Sequence, residues 1–117
     1  MPILNVELVT DDGQVPADLA ARIADAAGNI FDAELGRVWV KLAGTPTHCY
    51  AENAVPQDET PRPVFVSVLL WTHPPANEWE RTVKALTRAI AQCSGRPTEN
   101  VHLLLEPEAR GRIAFGG

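Results

Sequence analysis

The feature that most constrains this chain is a strand-helix-strand pattern that occurs twice. ILNVELV (3–9) alternates, with Leu4, Val6 and Leu8 on one side and Ile3, Asn5, Glu7 and Val9 on the other, which is the period of a strand. A turn, TDDGQ, leads into PADLAARIADAAGNIF (16–31). Its proline suits a first helical turn, and Leu19, Ile23, Ala26/Ala27 and Ile30 recur at the spacing of an amphipathic helix. GRVWVKLAG (36–44) alternates again, with Val38, Val40 and Leu42 opposite Arg37, Trp39 and Lys41.

The second run repeats the order. RPVFVSVLLW (62–71) reads as a strand apolar on both faces, hence central. HPPANEWERTVKALTRAIAQCSG (73–95) is a helix with the stripe Trp79, Val83, Leu86 and Ile90, and Gly95 is placed to cap its end. NVHLLLEP (100–107) is the last long strand, and the glycine-bounded tail reads as a short strand or hairpin. The expected organisation is one α/β (α+β) domain over 1–117, with pseudo-repeats 2–45 and 63–107, a long loop 45–62 and a C-terminal hairpin 108–117. Pro63 stands 61 positions after Pro2, each opening a strand. Strands joined by a helix are expected to be parallel, with right-handed crossovers. Two helices on one face of a four-stranded sheet leave the other face open. Its polar positions Asn5, Glu7 and Ser67 suit a shared, partly wet interior, which favours an oligomer. A ferredoxin-like dimer has the same element order with antiparallel pairing and stands as the alternative architecture.

Bulk properties remove several classes of function. A formal net charge of −5 argues against a nucleic-acid partner, which requires a basic footprint. Basic residues are scattered, with no run suited to an anionic membrane surface and no apolar stretch of spanning length. No signal-peptide pattern opens the chain, and Cys49 and Cys93 have no disulfide-framework spacing, so free thiols and a cytoplasmic location are expected. The residues His48, Cys49, His73, Cys93 and His102 lack zinc-site spacing, so no metal is expected. Ser94-Gly95 is a helix end and not a nucleophile elbow, and no glycine loop is built to cradle phosphate.

Pro2 has two readings. Proline lacks an N–H and is tolerated at the first position of a strand, so it can simply open one. With Met1 removed, it is instead a rigid secondary amine at a strand end. A free α-amino group titrates at roughly 7.7–8.0, and proline's secondary amine starts higher. Burial in an apolar pocket or a nearby cation favours the neutral base. Pro63 has no such option, because its nitrogen is an internal amide.

With Met-Pro opening a strand of a duplicated unit, the chain resembles the tautomerase superfamily, which includes 4-oxalocrotonate tautomerase and macrophage migration inhibitory factor. The resemblance covers nearly the whole chain and is stronger from PVFVSVLL to ENVHLLLEPEARGRIAFGG. It implies a homotrimer of fused β-α-β units. It also implies a cofactor-independent isomerase in which Pro2 shuttles a proton in a small 2-oxo acid or enol. The family's carboxylate-binding arginines are altered: His73 and His102 stand in the second half and Trp39 in the first. The arginine pair of the family's dehalogenases and decarboxylases is absent from LLWTHPPA, which disfavours that chemistry. Ile113 stands where an aromatic residue is expected near the tail, with Phe115 close by.

The resemblance makes His102 and His73 candidates to steady a carboxylate or enolate oxygen. Tyr50 and Asn53, beside Glu52 in YAEN, are polar candidates in the long loop. Trp39 is a candidate wall of the proline pocket, and Arg112 with Arg110 a replacement source of positive charge. The competing reading is a non-catalytic ligand-binding or oligomerisation domain in which Met1 is retained and the Pro2 nitrogen stays an amide.

Overall fold

The structure is a computed structural model and describes residues 2–116. Strand β1 (Ile3–Thr10) is followed by helix α1 (Leu19–Ile30) and strand β2 (Trp39–Pro46). Strand β3 (Val64–Leu69), helix α2 (Ala76–Ser94) and strand β4 (Val101–Leu105) repeat the order. The four strands form one sheet in the order β2-β1-β3-β4. The helix-linked pairs β1/β2 and β3/β4 are parallel, and the two halves meet in an antiparallel β1/β3 ladder. This topology sets aside the ferredoxin-like alternative, which requires antiparallel pairing throughout.

The two faces follow the alternation read from the sequence. Leu4, Val6 and Leu8 of β1 and Val64, Val66 and Val68 of β3 are buried in one cluster with Leu19, Ile23 and Ala27 of α1 and Leu86, Ile90 and Ala91 of α2. Both helices therefore cover one face. On the other face Trp39, Phe65 and Leu104 remain 45%, 39% and 60% exposed. The offset of 61 is out of phase with these faces, because an odd shift exchanges the two sides of a strand. Both prolines are buried, but Pro2 shares the strand parity of Leu4 on the helix-covered face, whereas Pro63 shares that of Phe65 on the open face. Their backbones also differ: the Pro2 carbonyl accepts the Trp39 N–H (3.0 Å) across the parallel ladder, and the Pro63 carbonyl accepts the Val9 N–H (3.1 Å) across the antiparallel one.

Element ends differ from expectation for local reasons. Helix α1 starts at Leu19, three residues after Pro16, whose carbonyl accepts the Leu19 N–H. Strand β2 starts at Trp39 because Arg37 is held in a turn, its N–H donating to the Glu34 carbonyl. The tail expected to form a hairpin contains no strand among the described residues. It runs instead along the end of β3, with Glu106, Ala109 and Arg110 donating backbone N–H bonds to Val68, Leu70 and Trp71. The long loop holds two short 3-10 turns, Thr47–Cys49 and Gln57–Glu59. Its exit is clamped by Arg96, whose guanidinium donates to the carbonyls of Val9 (2.8 Å) and Arg62 (2.6 Å), while Arg62 pairs with Asp11. Burial, with Arg62 alongside, lowers the Arg96 pKa, and Asp11 opposes the shift.

Gly95 ends α2 in the left-handed conformation (φ 69°), its N–H closing on the Ala91 carbonyl. Gly44 leaves β2 open to the TDDGQ turn, since a Cβ there would collide with the Gly13 carbonyl oxygen.

Ile23, at the centre of the helix-sheet contact, is 1% exposed, and Ile23→Ala is expected to remove about 2–5 kcal/mol in urea unfolding. Gly44→Ala is expected to cost about 1–3 kcal/mol by forcing the turn away from β2.

Candidate active site

The site is assembled at the head of β1. Pro2 is buried and lies one step beyond the Ile3–Leu69 pair, between the start of β2 and the end of β3. Parallel return of a helix-linked strand brings the α1–β2 connection to this same end of the sheet. That connection is fixed by its backbone. Phe31 and Ala33 donate N–H bonds to the carbonyls of Ala27 (2.9 Å) and Gly28 (2.9 Å), and Asp32 takes a positive φ of 49°. Aspartate tolerates that region better than most side chains do.

A cleft of about 430 Å³ opens beside Pro2. Phe31, Ala33, Leu70, Trp71 and Pro74 supply apolar walls, and Thr72 and Thr82 supply hydroxyls. Asp32, Glu34 and Glu78 contribute carboxylates and Arg37 a guanidinium. Glu78 lies in the first turn of α2, where a negative charge is favoured by the helix dipole.

The residues singled out from the sequence fall in three places. Pro2 lines the cleft. His73 holds the tail beside it, and Arg112 fixes the tail's own turn. The His73 N–H donates to the Glu108 carboxylate (2.9 Å), and its ring Nε2 lies 2.9 Å from the Glu106 carbonyl. A carbonyl only accepts, so that nitrogen carries the proton. Arg112 donates Nε–H to the Glu108 carbonyl (2.9 Å) and Nη2–H to that of Pro107 (3.2 Å). Arg110 donates its backbone N–H to the carbonyl of Trp71, a cleft wall. Trp39 stands on the open face beside Ile3, its indole N–H donating to the Gly36 carbonyl (3.0 Å). Phe115 packs edge-on against it, with ring centroids 5.5 Å apart at 83°.

The third place is the far end of the open face. Tyr50, Phe65 and His102 form a row, with centroid separations of 5.9 Å and 5.5 Å. Phe65 precedes Leu70 by five strand positions, so the row is roughly 17 Å from the Pro2 end of its own chain. The Tyr50 hydroxyl donates to Glu52 (2.7 Å). That bond, together with partial burial and the Glu52 charge, raises the phenol pKa and keeps it a donor. Asn53 is exposed in the same loop. Between the two ends, Asn5, Glu7, Lys41, Phe65 and Ser67 line a second depression of about 360 Å³ on the open face.

Sequence reasoning missed Asp32, Glu34, Arg37 and Glu78 as neighbours of Pro2. The signal was available in the topology: a parallel β-α-β unit always returns its second connection to the end where its first strand begins.

No family model and no curated protein sequence matches the chain. Solved structures do. A fused 4-OT described as a symmetric trimer is 22% identical, with a TM-score of 0.70 over 96% of this chain and 91% of that one. Pt0534, inactivated by 2-oxo-3-pentynoate, is 19% identical, with a TM-score of 0.73 over 98% and 92%. MIF2 of Leishmania major is 17% identical, with a TM-score of 0.70 over 91% and 87%. Likeness at these identities is a likeness of architecture, and the duplicated β-α-β chain described above has the fold of the tautomerase superfamily.

Proposed function

We propose that the chain is a cofactor-independent tautomerase acting on a small 2-oxo acid or its enol. In this reading Met1 is removed, Pro2 is the general base and the protein is a homotrimer. The observation that carries it is a buried proline at the head of a central strand, lining a cleft with apolar walls and a guanidinium. The fold it shares with a fused 4-OT and with Pt0534 supports the reaction class.

The chemistry is a proton relay. The Pro2 amine takes the hydroxyl proton of the enol as the O–H pair becomes the C=O bond. The prolinium then returns a proton to the neighbouring carbon, and no cofactor is consumed. The rigid ring holds the nitrogen in one direction, so little freedom is lost on reaction. Phe31 and Leu70 exclude water from one side, and Arg37 is the group able to hold a carboxylate by its fork of N–H donors. His73 and Arg112 act indirectly: His73 ties the tail at Glu106 and Glu108, Arg112 fixes the tail's own turn, and the backbone N–H groups of Ala109 and Arg110 hold it on Leu70 and Trp71.

The trimer reading rests on the open sheet face. Three large apolar side chains there lie between polar residues, a composition suited to burial against other copies. The similar fused 4-OT is described as a symmetric trimer. In this reading His102, Tyr50 and Asn53 of one copy are candidates to complete the cleft of another.

Protein shown by intact mass to begin at Pro2 is expected to ketonise phenylenolpyruvate, and Pro2→Ala is expected to lower kcat/KM by about 10²–10⁴-fold. Equal activity of the two proteins, or full activity with Met1 retained, contradicts the mechanism. Leu104→Asp places a charge on the open face and is expected to yield folded monomers by light scattering; an unchanged assembly places the interface elsewhere.

A further inference from the structure

One wall of the Pro2 cleft is built beyond the reach of the sheet. Residues 70–74 follow the last pairs of β3, Leu69 with Ile3 and Val68 with Leu105. Leu70, Trp71, Thr72 and Pro74 line the cleft, whereas His73 is tied to the tail instead. Its N–H donates to the Glu108 carboxylate (2.9 Å), and its ring Nε2–H donates to the Glu106 carbonyl (2.9 Å). The tail answers along the same run. Ala109 and Arg110 donate their N–H groups to the carbonyls of Leu70 (2.9 Å) and Trp71 (3.2 Å). Backbone groups that a neighbouring strand takes elsewhere in the sheet are taken here by residues 106–110. Ala109 is 1% exposed, so the tail is seated in the fold at this point. Arg112 braces its turn, with the N–H donating to the Ala109 carbonyl (2.7 Å) and Nε–H to that of Glu108 (2.9 Å). Glu108 is therefore delivered to His73 by a fixed turn and not by a loose terminus.

We infer that Glu108 is a positioning residue for the Pro2 cleft, setting the wall 70–74 from behind through His73 and making the C-terminal tail part of the substrate-binding structure. The inference rests on the reading of Pro2 as base and names what holds the wall beside it. Glu108 does not line the cleft, so it acts through the wall and touches no substrate. His73 is exposed, and without Glu108 its N–H would turn to water. The bond therefore fixes where the run lies more than it satisfies a buried group. The wall offers Trp71 and Pro74 to the body of a substrate, a contact equal in the ground state and the transition state. Loosening it weakens binding and leaves the chemical step in place. Glutamine at 108 keeps an oxygen that accepts the His73 N–H, and alanine keeps none.

The test is steady-state ketonisation of phenylenolpyruvate by protein beginning at Pro2 and by its Glu108→Ala and Glu108→Gln variants. Glu108→Ala is expected to raise KM about tenfold and to leave kcat within about twofold. Glu108→Gln is expected to return KM to within about threefold of the parent. Glu99→Ala, exposed in the 3-10 turn Thr98–Asn100, is expected to change neither constant. Loss of folded protein alone lowers the apparent kcat at constant KM, so that pattern overturns the inference. An unchanged KM in Glu108→Ala, a glutamine variant no better than the alanine one, or an equal rise in Glu99→Ala overturns it as well. If the parent protein does not turn over the enol, the Pro2 reading has failed, and amide hydrogen exchange followed by NMR tests the wall by itself. The Ala109 and Arg110 amides are expected to exchange about tenfold faster in Glu108→Ala than in the parent or Glu108→Gln, with the amides of β3 unchanged. Equal exchange in all three proteins, or acceleration spread equally over β3, overturns the inference.

Discussion

The antiparallel ladder between β1 and β3 is the constraint on which the rest depends. Each β-α-β half is too small to bury a core alone. The ladder joins the two in a single register, Val6 opposite Val66, and so gathers the even-numbered apolar residues of both strands on one face. A slip of one residue would send that set to the open face and leave both helices without a surface to pack on. The register also positions the candidate site. It places the residue before Ile3 beside the residue after Leu69, and so puts Pro2 against Leu70 where the helix connections converge.

The two ends of the sheet then become different environments. At the end where β1 starts, parallel crossovers deliver the α1–β2 connection and the start of α2, and the tail seals the end of β3. At the other end Arg96 and Arg62 hold the long loop closed. The two halves thus differ: a cleft opens beside Pro2, whereas Pro63, at the corresponding strand, is fixed as an internal amide. The helix-covered face is finished within one chain, whereas the open face ends in exposed aromatic and aliphatic side chains.

Much of this was legible in the sequence. Alternation gave the buried side of ILNVELV and the half-buried, core-facing side of RVWVKL, helical spacing gave Leu19, Ile23, Leu86 and Ile90, and Gly95 marked the end of α2. Pro2 was legible because proline at a strand start calls for a reason. Other features depended on pairing that periodicity does not contain. The apparent match of Pro2 to Pro63 compares letters and not faces, and only the register reveals the phase. The tail carries strand-like composition, but its backbone bonds go to the end of β3, so no hairpin forms. Arg37 read as the polar side of a strand until the turn at Glu34 set it at the cleft. His102 and Tyr50 were found as polar or aromatic oddities, yet they lie far from Pro2 within one chain because strand length separates them.

The central claim concerns one nitrogen atom. Protein labelled with [15N]proline allows the Pro2 resonance to be followed by NMR from acid to alkaline pH. The account predicts an amine nitrogen whose titration midpoint matches the rising limb of kcat/KM for phenylenolpyruvate. A nitrogen with the shift of an amide, unchanged across that range in active protein, would contradict it.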